Sequence, residues 1–218
     1  RQLLIDFAYA NSYDIAIFGD SDDYFSSNRV EVSIGLLEFD HDIIVNELHM
    51  FSSATEHKIP LLSANFKVKS SISFESLLDR NCMGLSNTAV NLKRVFLNKY
   101  LGSDISNIIA LDWYLYSRAL LDGAKCFFTN ECITYYRQHG NNIANLMQFN
   151  NETMRKSISV KYIHYSKMLR FSDKYLNRYN VFKEAKRGSL SFEEIGKNQI
   201  VNLDRPPLWW ELPILECE

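Results

Sequence analysis

The run Asp14-Ile15-Ala16-Ile17-Phe18-Gly19-Asp20-Ser21-Asp22-Asp23 passes from uninterrupted apolar residues to three carboxylates within four positions. A short apolar run bounded by polar residues reads as a strand buried on both faces, as in a parallel sheet under helices. Before it, Leu3, Leu4, Phe7, Ala8 and Ala10 recur at helical spacing and predict a helix over 1–11 that stops at the turn formers Asn11-Ser12. After it, 27–38 reads as a helix with Ser27 or Asn28 as N-cap, and Asp42-Ile43-Ile44-Val45-Asn46-Glu47-Leu48 as a second buried strand. Alternating helices and strands predict an α/β domain.

Further along, Phe66-Lys67-Val68-Lys69 alternates like an edge strand, and 73–78 fits a short helix. Strand and turn are expected over 81–90 and a helix over 88–100. A longer helix is expected over 105–121, ending near Gly123, and two short strands over 125–128 and 132–137. From about residue 147 the pattern changes to long helices, roughly 147–177. Ser191-Phe192-Glu193-Glu194 resembles a capping box, and Pro206-Pro207 cannot continue a helix. The expected organisation is thus an α/β unit over 1–146 and a mainly helical region over 147–218. In that region Tyr162, Tyr165, Leu169, Phe171 and Tyr175 read as a packing face, and Trp209 and Trp210, beside two prolines, as buried by default, with an acceptor shelf or a membrane-interface anchor as the alternatives. Lys156, Lys161, Lys167, Arg170 and Lys174 read as a solvated face or as a contact with anionic lipid.

Composition narrows the function. The 218 residues are 46% hydrophobic and 23% charged, with 8 Gly and 4 Pro, which excludes disorder and low-complexity scaffolds. With 24 Lys+Arg against 26 Asp+Glu there is no basic footprint for nucleic acid. No apolar run approaches the ~20 residues that span a bilayer. Cys82, Cys126, Cys132 and Cys217 form no CxxC pair and no zinc spacing, so reduced thiols in a cytoplasmic protein are expected. The chain opens at Arg1 with residues that read as the interior of a longer polypeptide.

Three constellations carry possible chemistry. Three carboxylates crowded into Asp20-Ser21-Asp22-Asp23 repel one another, which a bound cation offsets, and ligands of open α/β sheets collect at the C-terminal ends of strands. The plainer alternative is a solvated acidic turn in which Asp23 or a neighbour caps the next helix. A calcium loop of the EF-hand kind fits worse, because Tyr24 and Phe25 stand where a further ligand and Gly belong. Asp112, among Leu111, Trp113, Tyr114 and Leu115, is either a helix-start residue or a general base. His139, next to a Gly-Asn turn in Tyr135-Tyr136-Arg137-Gln138-His139-Gly140-Asn141-Asn142, is either structural or a metal ligand.

Taken in order, these stretches resemble the later part of a family 2 nucleotide-sugar glycosyltransferase of the GT-A type. Arg1-Gln2-Leu3-Leu4-Ile5-Asp6-Phe7-Ala8 is similar to the family's Arg-Asn-x-x-Ile-x-x-Ala helix, with Gln2 in place of Asn. Asp20-Ser21-Asp22 resembles its Asp-x-Asp motif, followed by Asn28-Arg29, and Asn81-Cys82-Met83-Gly84-Leu85-Ser86-Asn87 resembles its acceptor-side loop. Asp112, with Arg118 six residues on, is similar to the Glu-Asp catalytic motif, but Leu111 replaces the Glu. Tyr136-Arg137-Gln138-His139 resembles the closing signature.

The resemblance implies a partial GT-A (Rossmann-like) mixed sheet with flanking helices. It implies Asp22 and Asp20 on Mn²⁺ or Mg²⁺ with His139 completing the shell, Arg1 and Arg137 on phosphate, and Asp112 as base. The implied donor is a UDP-sugar, the acceptor a glycan or lipid-linked glycan, and the setting cytoplasmic, with peripheral membrane contact possible. The family's nucleotide-binding β-α-β segment has no counterpart in this sequence. Two other readings stand beside it: a magnesium-dependent phosphatase using Asp20 and Asp22 with Lys93 and Asp104, and a non-catalytic glycan-binding or interaction module.

Overall fold

The computed structural model describes residues 2–52, 55–102, 105–138, 150–189 and 205–211. The described chain is α/β, with one mixed sheet and five α-helices. The helices are α1 (Gln2–Ala10), α2 (Arg29–Glu38), α3 (Leu111–Leu121), α4 (Asn151–Met168) and α5 (Leu176–Arg187). The strands are β1 (Ile15–Ile17), β2 (Tyr24–Phe25), β3 (Ile43–Ser52), β4 (Thr55–Pro60), β5 (Ser70–Ile72), β6 (Thr88–Asn91) and β7 (Cys126–Arg137). They run in the order β1-β6-β3-β7-β2, with β4 added to β3 and β5 to β7.

β3 and β7 form the centre and pair in parallel from Ile43↔Cys126 to Phe51↔Arg137. The other pairings are antiparallel. β3 is buried from Ile43 to Leu48 because both its faces are covered there. Leu37 and Leu36 of α2 pack with Ile44, Ala89 and Phe127. Ile43, Val45, Val90, Cys126 and Phe128 join the main core with α3 and α4. Cys82, Cys126 and Cys132 are buried free thiols, and Cys217 lies outside the described residues. No helix among the described residues is long and apolar enough to cross a membrane.

Several local expectations change. The apolar run at 14–19 shortens to β1, a half-buried strand at the edge of the sheet, antiparallel to β6 rather than inside a parallel array. The helix expected over 88–100 is instead the strand β6, then turns and a one-turn helix at Leu97–Tyr100. Thr88, Ala89 and Val90 are buried between β1 and β3, and pairing on both sides outweighs local helical spacing. Residues 66–69 bend rather than extend, and pairing resumes at β5. α3 begins at Leu111, six residues later than expected, and closes at Gly123, whose φ of +93° favours glycine. The two short strands at 125–137 are one strand, whose register shifts between Asn46 and Glu47 of β3 as its partner jumps from Thr129 to Ile133. The Ser191 capping box lies outside the described residues.

The helical stretch expected at 147–177 divides. α4 starts from a capping box in which the Thr153 amide donates to Asn150 Oδ1 and the Asn150 amide donates to Thr153 Oγ1, both at 2.9 Å. It gives way to a short turn before α5. Tyr165, Tyr175, Trp209 and Trp210 are buried in the main core, as the sequence predicts. Trp209 pairs by β-bridge with Asn81 and meets Tyr136 edge-on at 5.5 Å. Glu211 receives both Arg205 nitrogens at 2.6 and 2.8 Å, which anchors this segment beside Arg80.

Lys161 is no surface cation: it is fully buried. Its ammonium donates to the Asp79 carbonyl at 2.6 Å and faces the Phe182 ring, while the Asp79 carboxylate receives Arg178 bidentately at 2.6 and 2.7 Å. Burial lowers the Lys161 ammonium from 10.5 to about 7, against the pull of Asp79 and Glu211. Between those two values the unfolded chain holds the proton and the fold does not, so stability rises with pH across that window. Lys161→Met is expected to flatten this rise and to add roughly 1–3 kcal/mol at or below neutral pH, read from urea midpoints of both proteins across the window.

Candidate active site

The acidic loop begins where β1 leaves the sheet. The Phe18 amide donates to the Thr88 carbonyl at 3.1 Å, and Gly19 follows under the ring of Phe25. A Cβ at position 19 would stand 2.7 Å from Phe25 Cζ, so glycine is what permits this approach. The Asp20 amide then donates to Ser86 Oγ at 3.2 Å, and the Asp23 amide closes a turn onto the Asp20 carbonyl at 3.3 Å.

The three carboxylates are not equivalent. Asp23 turns inward, accepting the Ser86 hydroxyl on one oxygen and the Arg137 amide on the other at 3.0 Å. Burial pushes its carboxyl up, partly offset by these two donors, and the charges of Asp22 and Asp20 add to the rise. Asp23 therefore ties the loop to the 85–87 turn and to the end of β7, and it caps no helix. Asp20 is half-buried and Asp22 exposed. Arg137 Nε donates to the Asp22 carbonyl at 3.0 Å, so its guanidinium lies at the rim of the same loop, over the Phe51 ring.

Beneath the loop lies Arg29, only 4% exposed. Its Nη2 donates to the Phe18 carbonyl at 2.7 Å and its Nε to Asn46 Oδ1 at 3.0 Å, and its guanidinium covers the Phe25 ring at 4.3 Å. Burial lowers it from 12.5 to about 10, opposed by Cys132, Tyr116 and Asp23. Asn46 passes the network on to Thr134 Oγ1 at 3.0 Å, which donates to the Ser86 carbonyl at 2.9 Å. Asn28 occupies the N-cap position of α2 without capping it, since its amide donates to the Glu131 carbonyl instead. The resemblance drew attention to Arg29 as part of a motif but assigned it no task. The available signal was its spacing: Arg29, Ser33 and Leu37 form the buried stripe of α2.

Asp112 is half-buried in the first turn of α3, where its Oδ1 accepts the Trp113 amide at 2.8 Å. One turn on, the Tyr116 hydroxyl bonds Thr88 Oγ1, two residues from Ser86. Segment 84–88 thus connects the helix bearing Asp112 to the loop bearing Asp20 and Asp22. Arg118 points elsewhere, lying 3.4 Å over the Phe171 ring and reaching the Tyr114 hydroxyl. Lys93 pairs with Asp14 at 2.9 Å, at the opposite end of β1 from the acidic loop, so a phosphatase site loses that lysine. Arg1, Asp104 and His139 lie outside the described residues.

Among the described residues no three His, Cys, Asp or Glu side chains converge on a point that holds a cation. The side-chain donors that the loop itself carries, Asp20, Ser21, Asp22 and Asp23, are all oxygens. Two carboxylates suit Mg²⁺ or Mn²⁺, which complete their shells with phosphate oxygens and water.

Arg29→Met leaves the Phe18 carbonyl and the Asn46 amide oxygen without their charged donor. It is expected to lower stability by roughly 2–4 kcal/mol in urea unfolding, with Arg29→Lys falling between.

The chain matches no protein-family model and no curated protein.

Proposed function

We propose that this protein transfers a sugar, with inversion, from a nucleoside diphosphate donor, a UDP-sugar in the first instance, to a hydroxyl of a glycan or lipid-linked glycan during cell-surface polysaccharide assembly. The observation that carries this reading is the division of labour in the acidic loop. Asp23 is consumed as a tether, while Asp20 and Asp22 sit on a loop supported from below by Arg29. The ordered resemblance to GT-A glycosyltransferases supports the same assignment.

Mn²⁺ or Mg²⁺ held by Asp20 and Asp22 would supply positive charge against the departing diphosphate. Arg137, at the loop's rim, would contribute a guanidinium to the phosphates. The acceptor oxygen bonds the anomeric carbon as that carbon's bond to the diphosphate oxygen breaks, and the bonding pair leaves with the diphosphate. The Asp112 carboxylate takes the acceptor's hydroxyl proton. A second reading, donor or glycan binding without turnover, draws support from Leu111 and from the use of Asp112 Oδ1 at the start of its own helix.

Calorimetry on the full-length polypeptide is expected to find Mn²⁺-dependent UDP binding that Asp22→Ala abolishes. Asp112→Asn is expected to keep that binding and to lose ~10²–10⁴-fold in transfer. A folded protein without Mn²⁺-dependent UDP binding overturns the donor site. UDP binding without sugar transfer favours the second reading.

A further inference from the structure

The seam between the C-terminal helices and the α/β unit closes on an imidazole that makes no hydrogen bond. His164 of α4 is 2% exposed, and neither Nδ1 nor Nε2 has a partner among the described residues. Its ring lies flat on Trp113 of α3 at 3.8 Å and 10°. Tyr165 and Tyr175 stand edge-on to it at 5.7 Å, and neither hydroxyl reaches a ring nitrogen. Trp113 gives its own N–H to the Leu77 carbonyl at 2.7 Å, and Phe74 meets Tyr175 edge-on at 5.8 Å. Buried polar groups are as a rule hydrogen-bonded, so an imidazole walled in by rings is tolerated here only in its neutral form.

We infer that His164 is a proton-operated latch: its protonation parts α4 and α5 from α3 and from residues 74–79 while the central sheet stays paired. An imidazolium carries N–H donors on both ring nitrogens, and both would go unmet in this box. The Trp113 face attracts a cation, but that contact acts through the ring faces and supplies no acceptor at the ring edge. The surrounding groups do not supply one either. α3 presents the indole of Trp113, and the turn before α5 presents Tyr175, both uncharged. Lys161, one turn earlier in α4, adds a like charge, while the Asp79 carboxylate is engaged by Arg178 and Glu211 by Arg205. Water is the remaining partner for the charge, and it reaches the imidazole when the seam opens.

Opening stays local because the ties across the seam are side-chain contacts: Lys161 to the Asp79 carbonyl, Arg178 to the Asp79 carboxylate and Lys174 to Glu75. β3 and β7 are held instead by a backbone ladder in which the seam takes no part. The two buried bases act in separate ranges. Lys161 is lowered from 10.5 to about 7, so its influence on docking lies above neutral pH. Burial holds His164 well below 6.5, so below that value the open seam takes up a proton that the docked seam does not, and acid favours opening. Trp113 directly follows Asp112, so the latch reaches the first turn of α3, whatever chemistry that turn performs.

The test is hydrogen exchange read by mass spectrometry on the full-length polypeptide, corrected for the intrinsic pH dependence of exchange. Protection of the α4 and α5 amides is expected to fall about fifteenfold from pH 6.5 to pH 5, while β3 and β7 keep theirs. His164→Phe keeps a flat ring on Trp113 without a titrating nitrogen, and its α4 and α5 protection is expected to stay nearly level over that range. In the unaltered protein, the NMR signal of the His164 Cε1 proton in the docked form is expected to hold its neutral position down to pH 5, which decides the matter if the variant does not fold. Unchanged protection, an equal fall in folded His164→Phe, a fall spread evenly over helices and sheet, or a docked His164 signal that titrates near its ordinary value overturns the latch.

Discussion

The buried guanidinium of Arg29 sets where the candidate site can lie. A cation removed from water is tolerated only where its hydrogen bonds are met, and each partner of Arg29 comes from a different element. Phe18 follows β1, Asn46 belongs to β3, Phe25 to β2, and Arg29 itself opens α2. The acidic loop therefore takes its shape from the packing of one helix on the sheet. From Asn46 the network continues through Thr134 to the Ser86 carbonyl, and Ser86 then holds Asp20 and Asp23. A loop carrying three carboxylates stays compact because one is tied inward by two hydrogen bonds and the backbone of the others is fastened at several points.

The C-terminal helices dock by a comparable device at a different seam. Asp79 meets Arg178 through its carboxylate and Lys161 through its carbonyl, and Glu211 gathers Arg205 and Arg80. Around these contacts the seam is aromatic. Trp113 stacks on His164 at 3.8 Å, and Tyr165 meets Trp113, Tyr175 and Phe182. Burial, with Lys161 nearby, keeps the His164 imidazole far below its ordinary range, so it packs as a neutral ring. Such buried polar groups add little net stability but penalise any other docking of α4 and α5. Because Trp113 and Tyr116 belong to the helix that opens with Asp112, this packing also steadies the candidate base.

The class of fold and the position of the acidic loop were legible in the sequence, since apolar runs and carboxylate crowding are local patterns. Two of the differences share one cause. The sequence predicts strand and turn up to residue 90 as well as a helix from 88, and 88–91 form a strand between β1 and β3; residues 125–137, predicted as two strands, form one, carried through a register shift beside β3. Strand pairing is a contact between distant segments, and spacing within a segment does not report it. Lys161 was misread for the same reason: its helical neighbours fit a solvated face, and only the docking of α4 against Asp79 and Phe182 buries it.

By itself, the sequence singled out the candidate residues: the carboxylates at 20, 22 and 23, Asp112 in its apolar helix, and the apolar run that leads into the acidic loop. The tertiary structure alone decided the structural task of Asp23. Asp23 becomes a tether because Ser86 and the Arg137 amide, 63 and 114 positions away in sequence, donate to it. Asp20 and Asp22 remain on the loop that Arg29 supports, and Tyr24, Tyr135, His49 and Phe51 become neighbours only when three strands pair. A residue type fixes which bonds a side chain is able to make. Which of them form depends on partners that the folded backbone brings within hydrogen-bond or van der Waals reach.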